Sequence, residues 1–423
     1  MDPADSRAVA AFQKFLQTRT DHPAPDYAAA VAFLVEYAHE LGMPEPRVVD
    51  GLVADKPMFQ VVVVGTENEA PALLLNSHMD VVTADADAWD HPPFDGVIAD
   101  GRIYARGTQD MKCVTIQQME ALSRLLARGW TPARSVVLTV VPDEEIGGVD
   151  GMAALLSFTV EEAAARAAGE APGPVTIAGL PIGFALDEGL ANPTPGHYTV
   201  FNGERAPFFV DVTATGATGH GSRFIEDTAM EKLIGFANKA LAFRAEQAAK
   251  LHASGSCEGK KLGDVITVNL TILRAGKLHN VIPSEARAGL DIRVPPTVGY
   301  DELRALLDDW TATDGLSYTF AYEPPLNSLT ETSSSPWYAA FERAVHAAHP
   351  DAVCQLEVFP AATDSRYLRA LGVPAIGFSP LAGEPILLHD HNESIAVSTF
   401  ISGIAVYEAL LTELTAVPLP APM

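Results

Sequence analysis

The feature that most constrains this sequence is a short apolar run that stops at three consecutive carboxylates. Residues 135–141 (SVVLTVV) are almost continuously apolar and rich in β-branched side chains, which is typical of strands that helices cover on both faces. After Pro142 the chain continues with Asp143, Glu144 and Glu145. Ligands of open α/β sheets bind at the carboxyl ends of the strands, so we expect this turn to carry chemistry. A solvated acidic turn is the alternative interpretation.

Two further strand-like runs, residues 72–76 (ALLLN) and 182–186 (IGFAL), lead directly into polar residues of the same kind. The side chains that follow these runs are His78, Asp80, Asp187 and Glu188. Helical segments separate the strands along the chain. The alternation predicts an α/β sheet with histidines and carboxylates gathered along one edge.

Asp110 directly precedes an amphipathic helical segment, residues 111–128. At such a position an aspartate is either a ligand at the edge of the sheet or the N-cap of the helix. Aspartate is a favoured cap, and the helix N-terminus stabilises its charge. The local sequence leaves both interpretations open.

A different pattern begins near residue 196. The segments there follow in the order βαββαβ, which is typical of a ferredoxin-like sandwich that can fold by itself. We therefore expect an inserted α+β domain at residues 196–314, between two parts of an α/β domain at residues 1–195 and 315–423.

Composition excludes several classes of protein. The formal net charge of −26 argues against nucleic acid and anionic membranes as partners. Cys113, Cys257 and Cys354 are widely separated, which suits a reducing compartment and excludes a thiolate zinc site. No 18-residue apolar run is present, and the N-terminus lacks the apolar core of a secretory signal. We predict a soluble, cytoplasmic protein.

The polar residues at the strand ends form a ligand set of two histidines and three carboxylates. Its members are His78, Asp110, Glu145, Glu188 and, far downstream, either His389 or His391. Nitrogen and oxygen ligands suit two zinc-like ions that share one carboxylate. Two ions about 3.5–4 Å apart can lower the pKa of a shared water and polarise a carbonyl, and Glu144 stands beside them as a candidate general base. The set predicts hydrolysis of an amide.

Successive motifs along the chain resemble those of the aminoacylases. These enzymes belong to the zinc-dependent family that also holds glutamate carboxypeptidase and the deacetylornithine and succinyl-diaminopimelate deacylases. The motifs are NSHMDVV, YARGTQDMKC, VPDEEIGG, FALDEG, TGHGSRF, NVIP, LDIRV, ATDSRY and LLHDHNE. The resemblance extends from about residue 25 to the last helix. A longer segment at residues 157–181 departs from the pattern and looks like a surface insertion.

The resemblance implies a role for each ligand. His78 and Glu188 would hold one zinc ion, Glu145 and His391 the other, and Asp110 would bridge them. His389 is set aside, because two residues before His391 on an extended backbone it would point to the opposite face.

Three further roles around the ligands follow from the same resemblance. Asp80 would orient His78 through its second ring nitrogen. Glu144 would act as the general base. The peptide bond between Asp110 and Met111 would be cis.

The resemblance also makes the inserted domain a dimerisation and lid domain. His220 would reach the active site of the partner subunit in a homodimer and help to hold the tetrahedral oxyanion. Arg293, Asn280 and Arg366 are candidates for binding the substrate carboxylate, since a guanidinium offers a bidentate fork. Without the resemblance, a histidine between glycines such as His220 would be interpreted as an exposed residue with no role in catalysis. Each arginine would be interpreted as part of a surface salt bridge.

The function implied is hydrolysis of N-acyl-L-amino acids to a carboxylate and a free L-amino acid, with two Zn²⁺ per subunit and Co²⁺ as an alternative metal. Another N-deacylase, dipeptidase or carboxypeptidase activity of the same superfamily would differ in the substrate pocket and share the metal site. A catalytically inactive metal-binding scaffold is the alternative from another class. The intact set of ligands and base argues against it.

Overall fold

The protein divides into two compact units. The computed structural model describes residues 2–67, 69–170, 173–252, 261–325 and 327–418. The α/β unit comprises Met1–Asn202, Thr330–Glu357 and Thr363–Met423. The inserted unit comprises Gly203–Leu329 and Val358–Ala362.

The regular elements of the described residues are named here in chain order. The helices are α1 (Pro3–Gln17), α2 (Tyr27–Glu40), α3 (Lys112–Ala127), α4 (Val160–Ala167), α5 (Ala229–His252), α6 (Tyr300–Trp310), α7 (Pro336–Ala348), α8 (Ser365–Ala370) and α9 (Val397–Thr415). The strands are β1 (Arg47–Val49), β2 (Met58–Val63), β3 (Ala72–His78), β4 (Val97–Ala99), β5 (Arg102–Tyr104), β6 (Val136–Val141), β7 (Thr176–Ile177), β8 (Leu180–Asp187), β9 (His197–Glu204), β10 (Ala206–Thr215), β11 (Gly219–His220), β12 (Thr267–Ala275), β13 (Val281–Ile282), β14 (Glu285–Val294), β15 (Leu316–Tyr322), β16 (Val353–Phe359), β17 (Ala375–Gly377) and β18 (Ser394–Ala396).

A mixed sheet with the order β1-β2-β6-β3-β8-β17-β9-β16 forms the centre of the α/β unit. β6, β3, β8 and β17 are parallel to one another, whereas β2 pairs antiparallel with β6. Every residue of β3 and β6 is buried, because apolar cores cover both faces of the sheet. One core contains residues of α1, α2, α3, α7 and α9, and the other contains residues of α4 and α8. The predicted α/β class with a mixed sheet is confirmed.

Among the described helices, α9 is long and apolar enough to cross a membrane by length and composition alone. Its apolar residues instead belong to the core that α1 and α3 share. The ring of Phe400 in α9 stacks on Phe12 of α1 with centroids 4.6 Å apart. Burial inside the α/β unit accounts for the composition of this helix.

The inserted unit contains an antiparallel sheet with the order β12-β14-β10-β15. α5 and α6 contribute to one core with this sheet, which includes Phe236 and Trp310 from the helices and Phe208 and Ile292 from the strands. Along the chain these elements follow as βαββαβ. The predicted ferredoxin-like pattern is confirmed.

Both predicted borders of the inserted domain need correction. The border at residue 314 is too early, because β15 pairs with β10 in the sheet of the inserted unit, with Tyr318 opposite Val212. The border at residue 196 is also early, because the chain remains in the α/β unit as far as Asn202. Exposed and more buried residues do alternate along β15, as expected for a sheet with one solvated face.

Candidate metal centre

Three parallel strands carry candidate ligands to one edge of the large sheet. His78 is the last residue of β3 and lies opposite Val141, the last residue of β6. β8 ends one residue before Glu188. A short turn after β6 presents Glu144 and Glu145. Because the strands are parallel, side chains from distant parts of the sequence meet here.

The first group of ligand-type atoms is formed by His78, Asp110 and Glu188. His78 Nε2 lies 3.0 Å from Asp110 Oδ1 and 3.2 Å from Glu188 Oε2. All three residues are buried. One atom from each of the three lies within 4.8 Å of the others, so together they could hold a metal ion.

The second group is formed by Asp110, Glu145 and His389. His389 Nε2 lies 3.1 Å from Asp110 Oδ2 and 3.0 Å from Glu145 Oε2. Asp110 therefore offers one carboxylate oxygen to each group. This is the arrangement that a carboxylate shared between two ions requires.

The N-cap interpretation of Asp110 is wrong. α3 begins at Lys112, its N-cap residue is Met111, and no side chain caps it. The Asp110 carboxylate instead contacts the two histidines. The peptide bond between Asp110 and Met111 is cis, as the resemblance implies.

The choice between the two downstream histidines also needs correction. The structure brings His389 to the second group, whereas His391 belongs to neither group; both imidazoles are exposed. The backbone here is a turn and not extended: His389 has φ of 63°, and Asp390 N donates to Leu387 O at 3.0 Å. The argument from an alternating strand therefore does not apply.

Glu393 is a residue of this region that the sequence analysis missed. Its buried carboxylate accepts the backbone N–H groups of Gln109 at 2.7 Å and Gly107 at 3.1 Å. It also pairs at 2.8 Å with Arg106, which donates to the His389 carbonyl at 3.2 Å. Glu393 thus fixes both the loop before Asp110 and the turn of His389. The sequence signal that could have identified Glu393 was its position inside the LLHDHNE motif.

The contacts of Asp80 extend beyond His78, its predicted partner. His78 Nδ1 lies 3.0 Å from the main-chain carbonyl of Asp80, whereas the nearest carboxylate oxygen of Asp80 is 3.6 Å away. That carboxylate accepts the backbone N–H groups of Glu144 at 3.2 Å and Glu145 at 3.0 Å, and it faces His22 Nε2 at 3.0 Å. Burial raises the pKa of Asp80, but the hydrogen bond with His22 and the nearby His78 imidazole lower it to about 2. The ionised carboxylate anchors the turn that carries the two glutamates.

Glu144 lies buried beside the two groups. Its Oε1 atom has no hydrogen-bond partner among the described residues. Burial raises the pKa of Glu144, and the negative charge of Glu188 raises it further. A carboxylate in this environment accepts a proton more readily than an exposed one.

The electrostatics of the two groups match a site for cations. Burial raises the pKa of Asp110, but hydrogen bonds with His389 and His78 lower it by more. Hydrogen bonds with Asp110 and Glu145 raise the pKa of His389 to about 10. Glu145 Oε1, like Glu144 Oε1, is buried and has no hydrogen-bond partner within the ranges described. A nitrogen and oxygen donor set with strong negative charge fits divalent metal ions.

Arg366 lies in the same unit as these ligands. Its guanidinium donates to Thr363 O at 2.8 Å and to Gly147 O at 2.5 Å. Gly147 follows Glu145 by two residues, so Arg366 contacts the turn that carries the candidate base. Tyr367 donates to the same carbonyl at 2.8 Å.

The remaining predicted site residues belong to the inserted unit. His220 is exposed in β11, and its Nδ1 lies 2.8 Å from Ser222 Oγ. The Gly221 amide donates to Asn280 O at 2.9 Å, which brings the loops of His220 and Asn280 together. Arg293 pairs bidentately with Asp291 at 2.7 and 3.0 Å.

The fold and the ligand groups agree with a comparison of the sequence with protein families. The profile of Peptidase family M20/M25/M40 matches residues 74–413, which is most of the chain. The chain therefore belongs to this family of metal-dependent hydrolases.

Two individual proteins with sequences similar to this chain are both aminoacylase-1. Aminoacylase-1 from Dictyostelium discoideum is 43% identical over 420 residues, covering 97% of this chain and 98% of the relative. Aminoacylase-1 from Homo sapiens is 43% identical over 418 residues, covering 97% and 96%. Both alignments extend over the α/β unit and the inserted unit.

Solved structures share the fold at low sequence identity. An M20 family metallo-carboxypeptidase from Sulfolobus solfataricus has a TM-score of 0.68 at 17% identity, covering 98% of this chain and 100% of that chain. A tripeptidase from Staphylococcus aureus has a TM-score of 0.69 at 16% identity, covering 97% and 98%.

Proposed function

We propose that this chain hydrolyses N-acyl-L-amino acids to a carboxylate and a free L-amino acid. The observation that carries the proposal is the pair of ligand groups that share Asp110, with the buried Glu144 beside them. The identity of 43% to aminoacylase-1 over nearly the full length supports this substrate class.

We infer that the two groups hold two zinc ions per subunit. His78 and Glu188 would bind one ion, Glu145 and His389 the other, and Asp110 both. Zinc bound there would lower the pKa of water and polarise the carbonyl of the amide whose C–N bond is to be cleaved. Cobalt prefers similar ligands and would substitute.

Glu144 is the proposed general base. It takes a proton from the attacking water as the water oxygen bonds to the acyl carbon. When the carbon–nitrogen bond breaks, Glu144 passes this proton to the leaving amine. The fixed backbone of the turn, held by Asp80, keeps the base in position for both transfers.

The inserted unit supports the proposal of a homodimer. β12 is an edge strand of its sheet, and it exposes Ile272 and Leu273 with relative accessibilities of 42% and 63%. α5 exposes Met230, Ile234 and Leu241, which lie on one stripe of the helix. An apolar edge strand beside an apolar helix stripe is a surface that a second copy of the chain would cover.

His220 and the substrate-binding residues complete the proposal. In such a dimer the exposed His220 would donate to the oxyanion in the partner's site. Arg366, Arg293 and Asn280 are the proposed ligands of the substrate carboxylate. Of the three, Arg366 is the one that contacts the turn carrying Glu144, through the Gly147 carbonyl.

The proposed compartment is the cytoplasm. Cys113 and Cys354 are both free thiols in the structure, as a reducing compartment predicts. Cys257 lies outside the described residues.

A kinetic screen tests the proposed activity. N-acetyl amino acids, unmodified dipeptides and peptides with a free carboxyl terminus are compared with the zinc and the cobalt enzyme. We expect kcat/KM to be highest for N-acetyl-L-amino acids, and we expect a chelator to abolish turnover. A preference for dipeptides would favour the alternative peptidase activity of the same family.

Mixing two inactive variants tests the shared site. His220→Ala should lower kcat roughly 10²–10³-fold, the usual effect of losing an oxyanion donor. Heterodimers of His220→Ala with Glu144→Gln contain one site with both lesions and one with neither. Activity should return towards half of the wild-type value per heterodimer. Subunit exchange without recovery, with exchange verified by tag pull-down, would exclude the trans arrangement.

A further inference from the structure

A short N-terminal segment, residues 18–23, is fixed to the loop that follows β3. Val81 N donates to Thr20 O at 3.0 Å, and His22 N donates to Val81 O at 3.2 Å. The Thr20 hydroxyl donates to Met79 O at 2.6 Å. Lys112, in the first turn of α3, donates to Thr18 O at 2.9 Å. These bonds hold residues 18–23 in one register against residues 79–81.

This register presents the imidazole of His22 to Asp80. His22 Nε2 lies 3.0 Å from Asp80 Oδ2, and the relative accessibilities of the two side chains are 15% and 0%. The other donors to this carboxylate at hydrogen-bond distance are the backbone N–H groups of Glu144 and Glu145. Among the described residues, His22 is the side chain at hydrogen-bond distance from this carboxylate, and the His78 imidazole lies farther away at 3.6 Å.

We propose that His22 is a positioning residue for the reaction, and that it acts through Asp80. A buried carboxylate that loses a donor shifts towards its remaining donors or draws in water. Here the remaining donors are the backbone groups of Glu144 and Glu145, so a shift of Asp80 moves the base and a ligand together. The inference rests on the proposed roles of these two glutamates.

An additional cation site is the competing interpretation of this region. His22, Asp80 and Asp143 each offer an atom within 4.8 Å of the others. However, the Asp143 carboxylate already accepts hydrogen bonds from the Lys56 ammonium and the Tyr27 hydroxyl. The Lys56 ammonium therefore already supplies the positive charge beside Asp143. His22 remains available as a donor to Asp80.

The test compares three substitutions of His22 in the zinc-loaded full chain. His22→Ala removes the donor, His22→Leu fills the space without a donor, and His22→Gln supplies an amide N–H at a similar reach. His39→Ala, an exposed histidine of α2, is the matched control. Turnover of N-acetyl-methionine and the rate of zinc loss to a chelator are both measured.

We expect His22→Ala and His22→Leu to lower kcat by about 10–100-fold, with KM changed less than about threefold, and to lose zinc faster by a similar factor. His22→Gln should recover most of both losses, and the control should match wild type. If His22→Ala fails to fold, the pair of His22→Leu and His22→Gln decides. Wild-type kcat and zinc retention in His22→Leu would overturn the inference, and so would equal losses in Leu and Gln.

The zinc measurement separates this inference from the proposed function. If the wild-type enzyme does not turn over N-acetyl amino acids, the proposed substrate is wrong. Faster zinc loss from His22→Leu, with recovery in His22→Gln, would then still support positioning of the metal ligand Glu145. Equal zinc retention in all variants would contradict it whatever the substrate.

Discussion

Replacing His389 should remove one of two bound metal ions, whereas replacing His391 should remove neither. His389 Nε2 lies 3.0 Å from Glu145 and 3.1 Å from Asp110, so His389→Ala takes one of three ligands from the second group. The first group keeps His78, Glu188 and its Asp110 oxygen. His391→Ala is a matched control, because it removes an exposed imidazole two residues away.

The expected magnitude follows from the place of His389 among the ligands. Mutating a residue that only supports a metal ligand typically costs about 10–100-fold in metal affinity. A direct ligand should cost at least about 100-fold, which corresponds to about 2.7 kcal/mol. We therefore expect the stoichiometry of His389→Ala to fall from about two metals per chain towards one at chelator concentrations that wild type tolerates.

Competitive titration with a chelator, followed by elemental analysis of the desalted protein, measures this loss. Turnover of N-acetyl-methionine is followed in parallel and should fall with the second metal. Loss of metal from His391→Ala together with full retention in His389→Ala would refute the assignment. The metal ligand would then be His391, as the family resemblance implies, and not His389.

Two further perturbations test other parts of the account. Asp110→Ala should lose both metals, because its two oxygens serve both groups; two metals per chain with only a lower melting temperature would contradict the bridging role. Burial lowers the pKa of Lys112 to about 7 in the folded chain, so between pH 7 and its ordinary value of 10.5 the unfolded chain binds more protons. The free energy of unfolding of wild type should therefore rise with pH in that window, by up to about 1.4 kcal/mol per pH unit relative to Lys112→Met. Urea titrations of both chelated proteins at pH 7 and pH 9 measure the difference, and parallel pH profiles would contradict it.

Much of the fold can be predicted from the sequence, because its signals are local. The apolar runs of β3 and β6 predict buried parallel strands, and these strands bring His78, Glu145 and Glu188 to one edge. The βαββαβ order predicts the inserted unit. The border predicted at residue 314 is wrong because β15 belongs to the sheet of the inserted unit through its pairing with β10. The local sequence of β15 does not show which strand it pairs with.

The errors in the site come from local backbone geometry and from distant contacts. The choice of His391 assumed an extended chain, whereas His389 has left-handed φ in a turn of Asp, His and Asn, residues that adopt this conformation more readily than most. His22 and Asp80 are 58 residues apart in sequence, and Glu393 and Gln109 are 284 apart. No periodicity relates residues at such separations, so only the folded chain shows these contacts.

The most direct test of the central claim is the turnover and metal content of Glu144→Gln. Glutamine keeps the size of the side chain but cannot accept a proton from the attacking water. We expect the variant to retain as much metal as wild type and to lose about 10²–10⁴-fold in kcat on N-acetyl amino acids, the usual range for removal of a general base. Near-wild-type turnover in a fully metal-loaded Glu144→Gln enzyme would contradict the account.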